Sequence, residues 1–261
     1  MAMSDITAVR AKPILFSTSM VQAIMADQKS KTRRVMMPQP VMDEDGMWHW
    51  KDCQWMDGGL GFPESSIDDY ARYQTGDILW VRETWRMYEK MVGKGEGCYL
   101  KQFYAYKADE GNPNVPKCCE WYDNIKPLDG GYHHEYKKGS WRPSIFMPRE
   151  AARLFLRVTD VRVEQVQNIT EEDALAEGVP DEWPMEPAFC PKCKGEGLVG
   201  TLHPVSLGYM EIECPQCVSG IVRFSNLWDS LNAKRGYGWD SNPWVLVYEF
   251  ERCEKPEEAA P

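Results

Sequence analysis

The chain carries only four histidines, His49, His133, His134 and His203, and no H-E-x-x-H, G-x-S-x-G or G-x-x-x-x-G-K-[ST] string. Zincin, hydrolase-elbow and P-loop chemistries therefore have no support in it. Long apolar runs are missing too: the longest are about five residues, as at Trp244 to Tyr248, far short of the roughly 20 needed to span a bilayer. The N-terminus lacks a positive n-region followed by an apolar h-region, so neither a membrane span nor secretion is expected and a cytoplasmic site follows. Excess positive charge is absent as well. Forty acidic against 30 basic residues give a net charge of -10, which excludes a generally basic DNA-coating or membrane-surface protein and makes any nucleic-acid contact local.

With 261 residues, 43% hydrophobic and 27% charged, there is enough apolar material for one good-sized core carrying decorations. The nine cysteines are odd in number and, without an export signal, argue for reduced thiols and metal ligation rather than a disulfide framework. Two pairs have ligand spacing: Cys190-Pro-Lys-Cys193 and Cys214-Pro-Gln-Cys217, each followed by a glycine, Gly195 and Gly220, that lets backbone amides turn toward sulfur. Two intervening residues let both sulfurs converge on one tetrahedral ion at about 2.3 Å, and four thiolates are the closed coordination of structural zinc. An iron-sulfur centre or a redox dithiol is the alternative. His203 lies between the knuckles and reads as a surface residue, while Cys53, Cys98, Cys118, Cys119 and Cys253 lack matching spacing.

Along the chain, Pro13 to Phe16 reads as a strand, followed by a helix with Met20, Val21, Ile24 and Met25 on one face, ending near Asp27 or Gln28. Residues 36–75 read as an irregular insertion and 86–140 as a polar one with a single strand-like stretch at Tyr99 to Tyr106. Gly93, Gly95 and Gly97 form a loop. Ile78 to Arg82 is a compact strand. Leu154, Leu156 and Val158 alternate, and Val161 and Val163 resume out of step, which predicts a β-bulge near Thr159 and Asp160. Helices are expected at 171–177, with Thr170 as N-cap and Gly178 as stop, and at 227–235. The last strand runs from Trp244 to Phe250, and 253–261 is a disordered acidic tail. Short strands with few helices predict an α+β fold with a small β-barrel core, spanning 10–252 and interrupted by a zinc-knuckle insertion at 184–224.

Three charged features mark a site. Lys29, Lys31, Arg33 and Arg34 are four cations in six residues, and Thr32 stands among them. A desolvated lysine crowded by cations has its pKa lowered and can take a hydroxyl proton, whereas a solvated basic turn does nothing of the kind; both readings stay open. Glu177 ends a helix whose last turn disfavours negative charge, so a compensating cation such as Lys29 is expected beside it. Among eleven tryptophans, Trp80 and Trp244 read as core, while Trp85 and Trp239 sit beside polar turns as pocket walls. Arg142, Arg149, Arg153 and Arg157 make a second basic cluster, suited to phosphate or to water.

Together these residues resemble a known family. Ile24 to Arg34, I-M-A-D-Q-K-S-K-T-R-R, is similar to the G-x-K-x-x-T-x-R signature of ASCH domains in the PUA-like superfamily, with Asp27 in place of the glycine. The Gly76 to Val81 strand, the Asn168 to Glu177 segment and the Asn242 to Phe250 strand resemble further ASCH elements in the same order. W-V-R-E-T-W, P-S-I-F-M-P-R and L-W-D-S-L-N are similar to strings in enlarged ASCH-like proteins of phages and prophages, which would place the chain in a host cytoplasm. The resemblance implies a groove for a nucleobase, a modified nucleoside or RNA. One branch, the amidohydrolases that deacetylate 4-acetylcytidine, implies Thr32 as nucleophile, Lys29 as base, Glu177 in proton transfer and Arg34 on the substrate or oxyanion. A non-catalytic nucleic-acid reader and a phage accessory protein that binds a host protein are the alternatives.

Overall fold

A computed structural model describes residues 11–56, 67, 71–92, 99–110, 140–179, 198–202, 209–214 and 219–256. The chain divides into two units: Met1–Gln22 with Ile78–Leu156 and Arg252–Pro261, and Ala23–Asp77 with Arg157–Glu251.

In the first unit, β1 (Lys12–Leu15) runs parallel to the strand Ile78–Arg82, with Ile14 opposite Val81.

 That strand is β6, bonded to β1 on one side and to β9 (Phe155–Gln165) on the other, while β2 (Lys31–Val35) stands at the far end of the same sheet, in the order β1-β6-β9-β12-β2 with β12 at Trp244–Cys253. β6 is a continuous apolar run and is covered on both faces: Leu79 and Val81 are 0% exposed, and Ile78 and Trp80, which alternate with them, are 5% and 8%. Ile78 and Trp80 join Ala11, Trp85, Met147, Ala151 and Phe155 in the core of this unit. An antiparallel ribbon follows, β7 (Trp85–Val92) against β8 (Tyr99–Tyr106), so the polar insertion expected from 86 begins as a strand. Its polar residues hid the strand because a two-stranded ribbon needs little apolar surface on its outer face. The Arg153 guanidinium bonds Glu83 and Asp109 at 2.8–3.0 Å and lies 3.9 Å from the Tyr106 ring, so it serves this interior rather than a phosphate-facing cluster. Burial pushes the Glu83 carboxyl above its ordinary pKa against the pull of Arg153.

Helix α1 (Thr18–Met25) starts where the Ser17 hydroxyl accepts from the Met20 N–H, and it buries Val21 and Ile24. It ends as Asp27 takes φ 57°, the left-handed conformation that aspartate tolerates. The basic run beyond it is no solvated turn: Lys31–Val35 is β2, antiparallel to β12, with Thr32 opposite Tyr248 and Arg34 opposite Leu246.

The second unit holds that pair together with β9. Thr159 and Asp160 of β9 are both exposed, which breaks the alternation where the bulge was expected. Residues 36–75 are more ordered than an irregular insertion: β3 (Val41–Met42), β4 (Met47–Trp50) and β5 (Cys53–Met56) form an antiparallel sheet. Asp43 makes the first turn, its carboxylate accepting from the N–H groups of Asp45 and Met47. Helix α2 (Glu171–Ala176) begins as expected, with the Thr170 hydroxyl accepting from Asp173 N–H at 3.1 Å and three acids in its first turn. β10 (Leu198–Leu202) and β11 (Tyr209–Glu213) pair antiparallel in the stretch between the two C-x-x-C knuckles.

Helix α3 (Gly220–Asn232) starts seven residues before the expected 227, because Ser219 caps it by accepting from Val222 N–H. Gly220, expected to follow the second knuckle as a turn, is the first residue of this helix. A Cβ on Gly220 would meet a Glu171 carboxylate oxygen at 2.9 Å and Ala174 Cβ at 3.4 Å, so the helix starts in close approach to α2. Phe224 and Trp228 of α3 pack with Val245 and Val247 of β12 and with Val166 and Ile169. Burying each such side chain contributes about 1.5–3 kcal/mol. Cys253 ends β12 and so belongs to the fold and not to the tail.

The architecture is mixed α+β with a five-stranded sheet and few helices. β1 and β2 stand at the two ends of the strand order, so the described residues form an open sheet where a closed small barrel was expected. No described helix is long and apolar enough to cross a membrane.

Candidate functional site

Strand β2 sorts its side chains by period two. Lys31 and Arg33 lie on one face with Val35, opposite Glu249, Val247 and Val245 of β12. Thr32 and Arg34 lie on the other, with Tyr248 and Leu246. Lys29 precedes the strand and makes an isolated antiparallel bridge with Glu177, while Ser30 N–H donates to the Ala176 carbonyl at 2.9 Å. The C-terminal end of α2 is thus laid against the entry to β2. Gly178 closes the approach: it has φ 73°, and a Cβ there would stand 2.7 Å from Lys29 Cβ and 2.8 Å from Ala23 Cβ. Two reasons therefore require glycine, the left-handed backbone and the contact with Lys29.

The Lys29 side chain is 0% exposed and Glu177 only 4%. Lys29 Nζ donates to the Lys31 carbonyl at 2.8 Å, to the Glu177 carbonyl at 2.7 Å and to Glu177 Oε2 at 2.8 Å. An ammonium has three N–H groups, and these are three acceptors. The carbonyl contact also neutralises the negative helix end that made Glu177 an unfavourable choice there. The second carboxylate oxygen, Oε1, accepts from Arg33 Nη1 at 3.0 Å. Arg33 is itself 0% exposed in its side chain and reaches Asp173 at 2.7 Å and Glu164 at 2.8 Å. Toward the surface Lys31 bonds Asp173 and Glu249 at 2.6 and 2.9 Å, and Arg162 bonds the same two acids.

Burial is the main influence on Lys29 and draws its pKa below the ordinary lysine value against the opposing pull of Glu177. Arg33 and Arg34 are both near enough to press in the same direction as burial. Asp173 behaves oppositely: burial pushes it up, but hydrogen bonds from Lys31 and Arg33 outweigh that and hold it below the usual carboxylate range. Arg34 keeps accessible surface, yet the protein around it draws its pKa down by desolvation. Tyr73 and Tyr248, near enough to act on the Arg34 charge, meet edge to face at 5.2 Å between ring centres. Burial pushes the Tyr248 hydroxyl up to about 12.

Of the expected site residues, then, the structure brings Lys29 and Glu177 into direct contact and buries Thr32 three residues along the chain, with Arg34 on the Thr32 face. Trp85 is not a pocket wall: it is 4% exposed within the core of the first unit, edge to face with Tyr104 at 5.7 Å. In the sequence it sits beside a polar turn, but its backbone pairs with that of Arg142 and the Arg142 guanidinium lies 5.2 Å over its ring. Trp239 is half-buried against Phe224 in the core of the second unit. Arg33 was read only as part of a charge run, yet it holds three carboxylates. The signal was present: Asp173 and Glu177, four apart on one helical face, match the alternate cations Lys31 and Arg33 of a strand.

Among the knuckle cysteines, Cys214 follows β11 and is fully buried. Cys190, Cys193 and Cys217 lie outside the described residues, as do His203, Cys98, Cys118, Cys119 and the Gly93, Gly95 and Gly97 loop. Compared with protein-family models, curated proteins and solved structures, the chain has no match.

Proposed function

We propose that the second unit holds a nucleobase or modified nucleoside, free or within RNA, beside Lys29, Thr32 and Arg34, in a site of ASCH type, and that it hydrolyses the amide of an acylated cytidine. The observation that supports this reading is the buried Lys29–Glu177 pair, with the buried Thr32 three residues beyond Lys29 on the face of β2 that it shares with Arg34. Desolvating two charges costs several kcal/mol per ion, and an apolar pair of similar volume often serves stability as well or better. Perturbed, buried ionisable groups cluster at functional sites.

The chemistry balances within these residues. Burial draws the Lys29 pKa down and so favours its neutral amine. Thr32 Oγ1 attacks the acyl carbonyl as its proton moves to Lys29, and Glu177 relays that proton across its 2.8 Å contact with Lys29 to the departing exocyclic nitrogen. Water then hydrolyses the threonine ester, releasing acetate. Arg34 contributes positive charge toward the oxyanion or the substrate. A second reading, a non-catalytic reader in the same site, is favoured by one observation: all three Lys29 N–H groups already have acceptors, as suits a fixed wall. Calorimetric titration with 4-acetylcytidine tests the shared part. Saturable binding that weakens about tenfold or more in Arg34→Ala is expected, since a charged hydrogen bond contributes roughly 1.5–3 kcal/mol. Absence of binding by the wild type would remove both readings.

We also propose one structural zinc held by Cys190, Cys193, Cys214 and Cys217, with the β10–β11 ribbon between the knuckles. So small a ribbon has too little apolar surface to order itself, and metal binding supplies the missing free energy. Elemental analysis should give one zinc per chain, and Cys193→Ser should lose it while the second unit keeps its folded core. A metal-free preparation in which 190–217 resists proteolysis would contradict the assignment. A phage accessory protein that binds a host protein is the alternative to this reading, and a pull-down from host lysate with and without 86–140 tests it.

A further inference from the structure

The first unit carries an exposed turn that takes no part in the Lys29 site. The 3-10 turn Ser144–Phe146 directs Ile145 and Phe146 outward, 56% and 69% exposed. The turn is held at both ends. Before it, the Arg142 N–H and carbonyl exchange hydrogen bonds with Trp85 at 2.7 and 3.2 Å. After it, Met147 is 1% exposed in the core, and its sulfur accepts from Glu83 N–H at 3.2 Å. Two bulky apolar side chains are therefore presented to water on a fixed backbone and not on a slack loop.

Two arginines flank the turn, with the exposed Glu150 beyond it. Arg142 is exposed, with its guanidinium 5.2 Å over the Trp85 ring, and Arg82 donates to the Ile145 carbonyl while lying 5.3 Å over Trp80. Residues 141–149 contain two arginines and no acid in a chain of net charge -10. Stacking on indole rings fixes the guanidinium planes without removing their charge. An exposed aromatic ring on a turn flanked by arginines is complementary to a polyanion that also offers flat rings.

We infer that this turn is a contact site for single-stranded nucleic acid, with a base stacked on Phe146 and phosphates on Arg142 and Arg82. Base stacking on an aromatic side chain is tolerant of sequence, and phosphate contact is salt-dependent. The site stands on residues different from those of the Lys29 centre and holds whether or not that centre binds a nucleoside.

Fluorescence anisotropy of the full chain with labelled oligouridylate and oligothymidylate tests it, the two arms separating RNA from DNA. Binding to at least one is expected, weakening roughly 5- to 100-fold in Phe146→Ala and little changed in Phe146→Trp. Arg142→Ala should lower the slope of log affinity against log salt by about 0.7. Titration of the same variants with free 4-acetylcytidine should match wild type, so failure here is distinguishable from failure of the nucleoside site. Lack of binding to both oligonucleotides, or binding indifferent to Phe146→Ala, overturns the inference. A concentration-dependent dimer that Phe146→Ala dissociates also overturns it, by assigning the turn to self-association.

Discussion

Glu177→Gln should lower the unfolding free energy by roughly 3–5 kcal/mol, the cost of leaving a buried charge without its partner. The carboxylate gives one oxygen to Lys29 and the other to Arg33, and both cations have side chains with 0% exposure. Glutamine offers one acceptor oxygen and turns an NH2 group toward the other cation. Arg33 retains Asp173 and Glu164, so the loss falls mainly on Lys29. The double variant Lys29→Met with Glu177→Leu should be more stable than either single replacement, because removing both charges removes the desolvation penalty along with the attraction. Urea unfolding checks this through the midpoint at unchanged slope. By contrast Arg157 and Glu251 meet at 3.8 Å with more than half of each side chain exposed, and Arg157→Ala should change stability by less than about 0.5 kcal/mol.

Thr32→Ala should abolish deacetylation, with turnover falling at least about a thousandfold if the hydroxyl forms the acyl intermediate. This replacement is more informative than Lys29→Met. It removes one oxygen and one methyl from a buried strand position and leaves the Lys29, Glu177 and Arg33 charges paired. Affinity for 4-acetylcytidine should change little while turnover disappears, which separates a lost nucleophile from a lost binding contact. Product chromatography of the released cytidine measures it. Turnover retained in Thr32→Ala would remove the nucleophile assignment.

Several elements could be read from the sequence because their causes are local. Ile78–Arg82 is a buried apolar run between turns, Thr170 is a cap three residues before an acid, and Asp27 and Gly178 end helices by left-handed backbone. The pairing of Glu177 with a cation also followed from local physics, since a carboxylate at a helix end asks for compensation. What escaped was nonlocal. Lys29 to Arg34 looked like a solvated run because adjacency in sequence hides the period-two sorting of a strand, and the acids that bury Arg33 come from β9 and α2. Trp85 looked polar by its neighbours but is covered by a segment more than fifty residues away in the chain, around Arg142. The early start of α3 was masked by Gly220, which reads as a turn residue and instead opens the helix beside Glu171.

The most direct measurement is the crystal structure of Thr32→Ala soaked with 4-acetylcytidine. The expected result is an intact ligand whose acyl group lies over the vacated Thr32 hydroxyl position, with Arg34 against the ligand and the Lys29–Glu177 contact preserved beneath it. Ligand bound elsewhere, or no ligand at a concentration that saturates 4-acetylcytidine binding in solution, would contradict a site built from Lys29, Thr32 and Glu177.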